Sequence, residues 1–246
     1  MRRSLPFLII GLVLLAFTAF GFLLFRAKMP TPVKIAGGLP GAEPSHLRGG
    51  AQGRVTLEEF GDFQCPPCGI LHVTLQKIEH DYGDKIQVIF REFPLTMHAY
   101  AFTAACAAEA AGLQGRFWEM HDLLFEHAMY WAKDSPPPQT PPTEEALARV
   151  RGIFVEYATR AGVDVERFRK DMDGEAVDAR IKADQARGKS LGVDRTPVLF
   201  IDGVKIPFSK FNVEDLHKII DDALAGKPPE PETPSPSPTQ APLPQP

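Results

Sequence analysis

The sequence has little cysteine, with only Cys65, Cys68 and Cys106 among 246 residues. A secreted scaffold held together by disulfides needs a larger, even set, so that class of fold is excluded. The chain also lacks an excess of basic charge, because its formal net charge is −4. We therefore expect no binding of nucleic acid, which requires a basic surface. The composition is otherwise that of a globular protein, 44% apolar and 24% charged, with room for one substantial domain.

One long apolar run stands near the start of the chain. Residues 5–25 are uncharged and largely apolar, and arginines flank the run on both sides. About 20 such residues are needed to cross a bilayer, whereas a cleaved signal peptide has an apolar core of about 7–15 residues. We therefore predict a transmembrane anchor over residues 5–25 after a cytoplasmic stub over residues 1–4, with a cleaved signal peptide as the alternative. The bulk of the chain then lies outside the cytoplasm, in the periplasm, where disulfides persist.

Two segments without a regular apolar pattern flank the remaining sequence. Residues 26–53 are rich in Pro and Gly, which is typical of a flexible linker. Residues 227–246 consist largely of Pro, Ser, Thr and Glu, which cannot build a core, so this segment is predicted to be a disordered tail. A single domain over residues 54–226 lies between them.

The spacing of apolar residues along this domain changes from strand-like to helical and back again. Residues 55–60 alternate as a strand does, residues 86–93 form the mostly apolar run of a buried strand, and the sequence between them repeats apolar residues at helical spacing. Residues from 99 to about 191 are almost wholly helical in pattern. Residues 198–206 then predict a β-hairpin with an Asp-Gly turn, followed by one last amphipathic helix. The predicted fold class is therefore α/β.

Cys65-Pro66-Pro67-Cys68 lies where a helix is expected to begin. Pro66 suits the first helical position, and residues three apart share one helix face. The partial positive charge of the helix N-terminus favours a thiolate at Cys65. A stabilised thiolate favours the reduced pair, so the disulfide becomes an oxidant. The pattern predicts a redox pair, and the alternatives are half of a zinc site or two incidental core thiols.

A zinc site would need two further ligands, for which Cys106 with His72 or His98 are the candidates. Cys106 stands among alanines and is typical of a small buried apolar residue. His72 and His98 have no metal partners at ligand spacing, and we expect them at the surface or at its boundary. We therefore predict no metal and no cofactor, with a zinc-stabilised binding module as the alternative from a different functional class.

Four sequence blocks resemble DsbA-type proteins of the thioredoxin fold, and they occur in the family's order. They are EFGDFQCPPC at 59–68, FREFPL at 90–95, GRFW at 115–118 and RTP at 195–197. The resemblance covers about residues 54–225. It implies a thioredoxin fold with a helical insertion, at about residues 99–191, between an N-terminal βαβ part and a C-terminal ββα part. It also implies that Pro197 follows a cis bond and faces the Cys65 sulfur, leaving the Thr196 backbone open to an extended substrate.

The activity that the resemblance implies is that of a protein dithiol–disulfide oxidoreductase. Cys65 would be the exposed attacking sulfur and Cys68 its partner, and the residues expected to contact substrate are Thr196, Pro197, Pro66 and Pro67. The expected substrates are cysteine-containing secreted or envelope proteins, and the expected redox partner is a quinone-linked membrane protein. An oxidase that forms disulfides is the leading interpretation, and a reductase or isomerase on the same fold is its rival.

Glu59 and Pro67 bear on how such a site would work. The resemblance places a buried acid at Glu59, beneath the disulfide, where burial raises the pKa of a carboxyl and lets it exchange a proton with Cys68. An exposed glutamate at a sheet edge is the alternative. Pro67 stands where the best-known oxidase has histidine, and it supplies neither a cation nor an N–H. We therefore expect a higher Cys65 pKa, and a weaker oxidant, than in a histidine-bearing relative.

Overall fold

The computed structural model describes residues 34–50 and 52–230, together with residues 17, 18, 20 and 21. No helix among these residues is long and apolar enough to cross a membrane. The stub predicted over residues 1–4 lies outside the described residues, and so does the anchor predicted over residues 5–25 apart from the four named positions. The tail lies outside them from residue 231 onward. The stub, the anchor and that part of the tail therefore stay predictions.

Five strands form one mixed sheet in the described part of the chain, in the spatial order β1–β3–β2–β4–β5. Their bounds are β1 (Leu47–Gly49), β2 (Val55–Gly61), β3 (Ile86–Glu92), β4 (Val198–Ile201) and β5 (Val204–Lys205). Strands β2 and β3 run parallel, and the other three pairings are antiparallel. Every residue of β2 and β3 is buried, as in a sheet covered on both faces, although each strand also contains polar and charged residues.

Eight α-helices pack around this sheet within the described ranges. Their bounds are α1 (Pro66–Tyr82), α2 (Ala101–Gly112), α3 (Phe117–Glu126), α4 (Ala128–Trp131), α5 (Glu144–Ala161), α6 (Val165–Asp171), α7 (Glu175–Ser190) and α8 (Val213–Leu224). Helices α1 and α8 pack together, and α7 packs on β3. Helices α2–α7 form the insertion between β3 and β4. The predicted α/β fold, a βαβ part and a ββα part separated by a helical insertion, is confirmed.

The hairpin turn and the cap of the last helix, both predicted from the sequence, are present at the C-terminal end of the domain. The turn between β4 and β5 places Asp202 at φ 47° and Gly203 at φ 81°, the left-handed backbone that a two-residue hairpin turn requires. The Asn212 side chain accepts the Asp215 N–H at 3.0 Å and so caps α8. These two signals fix where the hairpin turns and where the last helix begins.

The prediction of a flexible linker is wrong for residues 34–50, which we call the N-terminal arm. Part of the arm forms the edge strand β1, paired with β3. Two buried arginines bind its backbone: Arg91 donates to the Ala42 carbonyl at 2.9 Å, and Arg187 donates to the Leu39 carbonyl at 2.9 Å. The arm has a linker-like composition because its order comes from partners far along the chain rather than from its own apolar pattern.

The two arginines belong to a buried cluster of charges on the sheet face toward α7. Arg91 Nε donates to Glu58 Oε1 at 2.9 Å, and Arg187 donates to both Glu58 oxygens at 2.7 and 2.8 Å. Asp184 accepts from Arg91 at 3.1 Å. Each of these side chains is at most 2% exposed. Glu58 interrupts the apolar pattern of β2 because it neutralises two cations, which is a structural role.

Candidate redox site

Cys65 caps the N-terminus of α1, and Pro66 and Pro67 occupy the first two helical positions. A turn before the helix presents this residue, since the Cys65 N–H donates to the Asp62 carbonyl at 3.0 Å. Neither proline has a backbone N–H, so the first backbone N–H of the helix is that of Cys68. It donates to the Cys65 carbonyl at 3.0 Å and also bonds to the Cys65 sulfur.

The two sulfurs of the pair differ in access to solvent. Cys65 is 6% exposed and Cys68 is 0% exposed, and both are free thiols. The prediction that Cys65 would be exposed is wrong in degree, because the residue is buried, with its sulfur 3.5 Å from the Thr196 carbonyl oxygen. The order is as predicted, since Cys65 is the more accessible of the two.

The two thiols also differ in acidity. The hydrogen bond from the Cys68 thiol lowers the pKa of Cys65 to about 6, helped by the Thr196 hydroxyl and the Cys68 N–H and opposed by burial. Burial holds the pKa of Cys68 well above its usual range. Cys65 is therefore a thiolate near neutral pH, whereas Cys68 keeps its proton. This division suits one attacking sulfur and one resolving sulfur.

The loop before β4 meets the cysteine pair as predicted. The Thr196–Pro197 bond is cis, and the Cys65 thiol lies 3.5 Å from the Thr196 carbonyl oxygen, which accepts from it. The Thr196 hydroxyl is buried and makes no hydrogen bond of normal geometry within the described residues, but it is close enough to the sulfur to lower the Cys65 pKa. Residues 131 apart in sequence thus meet at one sulfur.

A groove of about 370 Å³ opens beside this contact. Its lining residues are Pro67, Arg195, Thr196, Pro197, Val198, Lys205, Ile206, Phe208 and Phe211. The lining is mainly apolar, and Phe208 keeps 62% of its surface exposed. Three of the four residues predicted to contact substrate line this groove, whereas Pro66 is exposed outside it.

Glu59 is buried in β2, 2% exposed, so the alternative of an exposed sheet-edge glutamate is wrong. Burial raises the pKa of its carboxyl to about 8, and the negative charges of Glu79 and Cys65 add to the effect while Arg48 opposes it. One carboxyl oxygen has no hydrogen-bond partner among the described residues. Its charge in turn raises the pKa of Cys68, after burial and the bond to Cys65. The acid and the resolving thiol therefore respond to each other electrostatically.

Arg48 is a charged residue near Glu59 that the sequence interpretation missed. It lies on β1 and donates to both Asp122 oxygens, at 2.9 and 2.8 Å, and to Glu79 at 3.0 Å. Its guanidinium also lies 4.2 Å from the centre of the Trp118 ring. The N-terminal arm thus places a cation between α1 and α3. No sequence signal revealed it, because an arginine within a Gly-rich stretch has no periodic context.

Asp62 and His98 form a second pair beside the cysteines. His98 Nδ1 donates to Asp62 Oδ2 at 2.8 Å, and the Leu95 N–H donates to the same oxygen at 2.8 Å. The His98 side chain is 17% exposed, so its expected boundary position is confirmed. Asp62 lies in the sequence block that resembles the family, which is a signal that could have identified it, but it was not among the predicted site residues.

His72 is 4% exposed, so the prediction of a surface or boundary position is wrong for this residue. It follows Cys68 by one helical turn on the inner face of α1 and stacks on Phe125 with ring centres 5.0 Å apart. Its ligand atom lies within 4.8 Å of those of His121 and Asp122, the one group of three with metal-binding geometry in the described part of the chain. Both Asp122 oxygens are bound by a guanidinium, whose charge would repel a metal ion.

The cysteines have no such group around them. Within the described ranges, no set of three potential ligands includes Cys65 or Cys68, so the zinc alternative has no geometric support there. Cys106 is 6% exposed, and burial raises the pKa of its thiol to about 12. It therefore has the properties of a small core residue, as predicted.

Comparisons with known proteins agree with this geometry. Residues 42–222 match the family described as "Thioredoxin". The chain is 36% identical over 182 residues to the Na(+)/H(+) antiporter NhaA 1 of Salinispora arenicola, and the match covers 74% of this chain but 25% of that protein. The chain therefore spans about a quarter of the length of that relative.

Two solved structures extend the comparison. DsbA2 of Pseudomonas aeruginosa is 26% identical with a TM-score of 0.55, and the match covers 77% of this chain and 98% of that one. Oxidised BdbD of Bacillus subtilis is 20% identical with a TM-score of 0.62, and the match covers 79% of this chain and all of that one. The chain therefore belongs to the thioredoxin family and is a DsbA-like thioredoxin-fold protein.

Proposed function

We propose that this domain is a protein dithiol–disulfide oxidoreductase that acts outside the cytoplasm, chiefly as an oxidase that forms disulfides in cysteine-containing proteins. The observation that supports the proposal most directly is the division between the two sulfurs. Cys65 is the more accessible and has a pKa of about 6, whereas Cys68 is fully buried with a pKa held high by burial. A pair of this kind attacks through one sulfur and resolves through the other.

Oxidation of a substrate dithiol takes two steps. In the first, a substrate thiolate attacks Cys65 of the oxidised pair, the Cys65–Cys68 bond breaks, and Cys68 leaves as a thiolate that takes up a proton. In the second, another substrate thiolate attacks the substrate sulfur of the mixed disulfide and releases Cys65. The substrate loses two electrons and two protons; the pair gains the two electrons, Cys68 gains one proton, and the other proton goes to solvent. The low pKa of Cys65 makes it a good leaving group in the second step.

Glu59 supplies the proton that Cys68 must gain. Its carboxyl holds a proton up to a pH of about 8, and one of its oxygens has no hydrogen-bond partner in the part of the chain that the structure describes. It delivers that proton when Cys68 leaves and takes it back when the pair is reoxidised. A buried acid with a pKa near the working pH suits this role.

The groove beside the pair receives the substrate. The Thr196 backbone lies against the attacking sulfur, so an extended peptide that pairs with it brings its own cysteine to Cys65. Pro67, Pro197 and Phe208 supply apolar contacts next to that backbone, and Pro66 adds one at the exposed start of the helix. Main-chain pairing with apolar contacts tolerates many sequences, as an oxidase of diverse proteins requires.

A quinone-linked membrane protein would return the pair to the disulfide by accepting its two electrons, and the N-terminal run over residues 5–25 would hold the domain near it. The second candidate is a reductase or isomerase, favoured by Pro67 in place of a cationic neighbour. In that direction Cys65 attacks a substrate disulfide and Cys68 resolves the mixed disulfide.

The decisive experiment is to trap substrates with Cys68→Ser in the native membrane. We expect mixed disulfides between Cys65 and secreted or envelope proteins, and none with Cys65→Ser as the control. Equal capture by both variants would contradict the assignment of the attacking sulfur. The redox state of the resting wild-type pair decides the direction, since an oxidase rests largely oxidised and a reductase rests reduced.

A further inference from the structure

The Asp62–His98 pair takes no part in the steps described above, although it adjoins the turn that presents the attacking sulfur. His98, in the loop between β3 and α2, donates to Asp62 Oδ2 at 2.8 Å. Asp62 Oδ1 accepts the Gln64 N–H at 2.8 Å, and the Asp62 carbonyl accepts the Cys65 N–H at 3.0 Å. One residue therefore connects the imidazole to the backbone that positions Cys65.

The charges of this arrangement affect the sulfur. The Asp62 carboxylate is 1% exposed and opposes formation of a thiolate at Cys65. An imidazolium bound to that carboxylate cancels its charge. The pKa of His98 is raised, first by its hydrogen bond to Asp62 and then by the charges of Asp62 and Cys65, against the effect of burial. The imidazole therefore responds to the state of the sulfur.

We propose that His98 is a positioning residue for the Cys65 thiolate, in which its imidazolium, held by Asp62, supplies the cation that the Cys-Pro-Pro-Cys motif lacks. This inference rests on the proposed redox role of Cys65 and deepens it. With His98 protonated, the Asp62–His98 pair is neutral and the thiolate forms readily. Once His98 loses its proton, the carboxylate faces the sulfur alone and the thiolate becomes less favoured. Cys65 therefore titrates over a wider pH range than an isolated thiol.

Few other charges of the described residues face the His98 imidazole. It lines an open groove whose other residues are Pro94, Leu95, Thr96, Ala99, Phe102, Gln139, Thr140, Pro141, Pro142 and Gln185, all of them uncharged. The charged or titratable groups that act on His98 are Asp62, in the turn before α1, and Cys65, at the start of α1. Cys65 in turn interacts with Cys68 and Glu59. The protonation of His98 therefore depends mainly on the Asp62 carboxylate and the Cys65 sulfur.

Thiolate absorbance at 240 nm of the reduced full chain tests the charge of His98. In His98→Gln, which keeps a donor for Asp62 but removes the charge, we expect the Cys65 pKa to rise by about half a unit or more. His98→Lys, which restores a cation, should recover part of that change. The matched control is His217→Gln, because His217 also pairs with an aspartate, at 3.0 Å from Asp81, near the far end of α1. Equal titrations of wild type and His98→Gln would overturn the inference.

A second measurement on the wild-type chain does not depend on any variant folding. NMR titration of the His98 ring should give a lower pKa in the oxidised chain than in the reduced chain, because the disulfide carries no charge. An identical His98 pKa in both states would overturn the inference even if thiol exchange is active. Failure of the proposed function is a separate result, since Cys65 of the wild type would then form no mixed disulfide with any protein.

Discussion

Replacing Glu59 with glutamine should stabilise the reduced domain, and the gain should grow with pH. The carboxyl is 2% exposed, and burial raises its pKa from 4.5 to about 8. In the unfolded chain this group ionises from about pH 4.5 upward, whereas the folded domain must hold it protonated or hold a buried charge. The folded state therefore binds one more proton between these two values, and stability falls as the pH rises through that window.

The size of the effect follows from the same two values. One pH unit of difference corresponds to about 1.4 kcal/mol. At pH 7 the raised pKa of Glu59 costs the folded domain on the order of 3 kcal/mol, and above pH 8 the cost levels off at no more than ~5 kcal/mol. Below pH 4.5 the carboxyl is protonated in both states and contributes nothing. Glutamine has nearly the same shape and no titration, so it removes the cost at every pH.

The assay is urea unfolding of the reduced wild type and of Glu59→Gln at several values between pH 4.5 and 8.5. The difference in free energy of unfolding should be small at the acid end and should rise by roughly 1.4 kcal/mol per pH unit in between. Glu119→Gln, at an exposed residue of α3, is the control and should show no such slope. A pH-independent difference, or a loss of stability at pH 7, would refute the reasoning. Disulfide exchange should meanwhile slow, because the variant has no proton to deliver to Cys68.

Three further substitutions have definite expected outcomes. Pro67→His should lower the Cys65 pKa and raise the reduction potential, because it adds a cation beside the sulfur; an unchanged thiolate titration at 240 nm would contradict this. Thr196→Val should raise the Cys65 pKa, because the thiolate loses a hydroxyl donor, and alkylation of Cys65 at pH 6 should slow accordingly; a rate equal to that of wild type would show that the hydroxyl contributes nothing. Glu58→Gln should lower the free energy of unfolding by about 3–5 kcal/mol, because buried Arg187 loses the carboxylate it is paired with and buried Arg91 keeps only Asp184; a loss below ~1 kcal/mol in urea unfolding would count against the buried cluster.

The parts of the site that sequence alone predicted depend on local rules. Proline at the first helical position locates the start of α1, and the Cys65–Cys68 spacing puts both sulfurs on its first turn. The approach of Thr196-Pro197 to Cys65 was not local, and only the family resemblance supplied it. Glu59 is intermediate, because its burial follows from a central strand while its high pKa follows from neighbours on other elements.

The parts that sequence missed depend on partners distant in the chain. Arg48 is held by groups on α1 and α3, and the N-terminal arm is held by arginines on β3 and α7. His98 meets Asp62 because the loop after β3 folds back over the end of β2. None of these contacts leaves a period, a cap or a turn signal in its own segment. Their positions can be found only once the sheet order is known.

The donors that stabilise the thiolate bear on the direction of electron flow. The largest contribution to the low Cys65 pKa is the hydrogen bond from the Cys68 thiol, and that proton exists only in the reduced pair. Its stabilisation therefore acts on one side of the redox equilibrium and favours the dithiol, which makes the disulfide an oxidant. The Thr196 hydroxyl acts in the same sense, because a disulfide sulfur is a poor acceptor compared with a thiolate. Two neutral donors thus favour the oxidase direction even though Pro67 offers no cation, and the charge of His98 adds to them under acid conditions. We therefore expect the pair to be somewhat more oxidising below the pKa of His98 than above it.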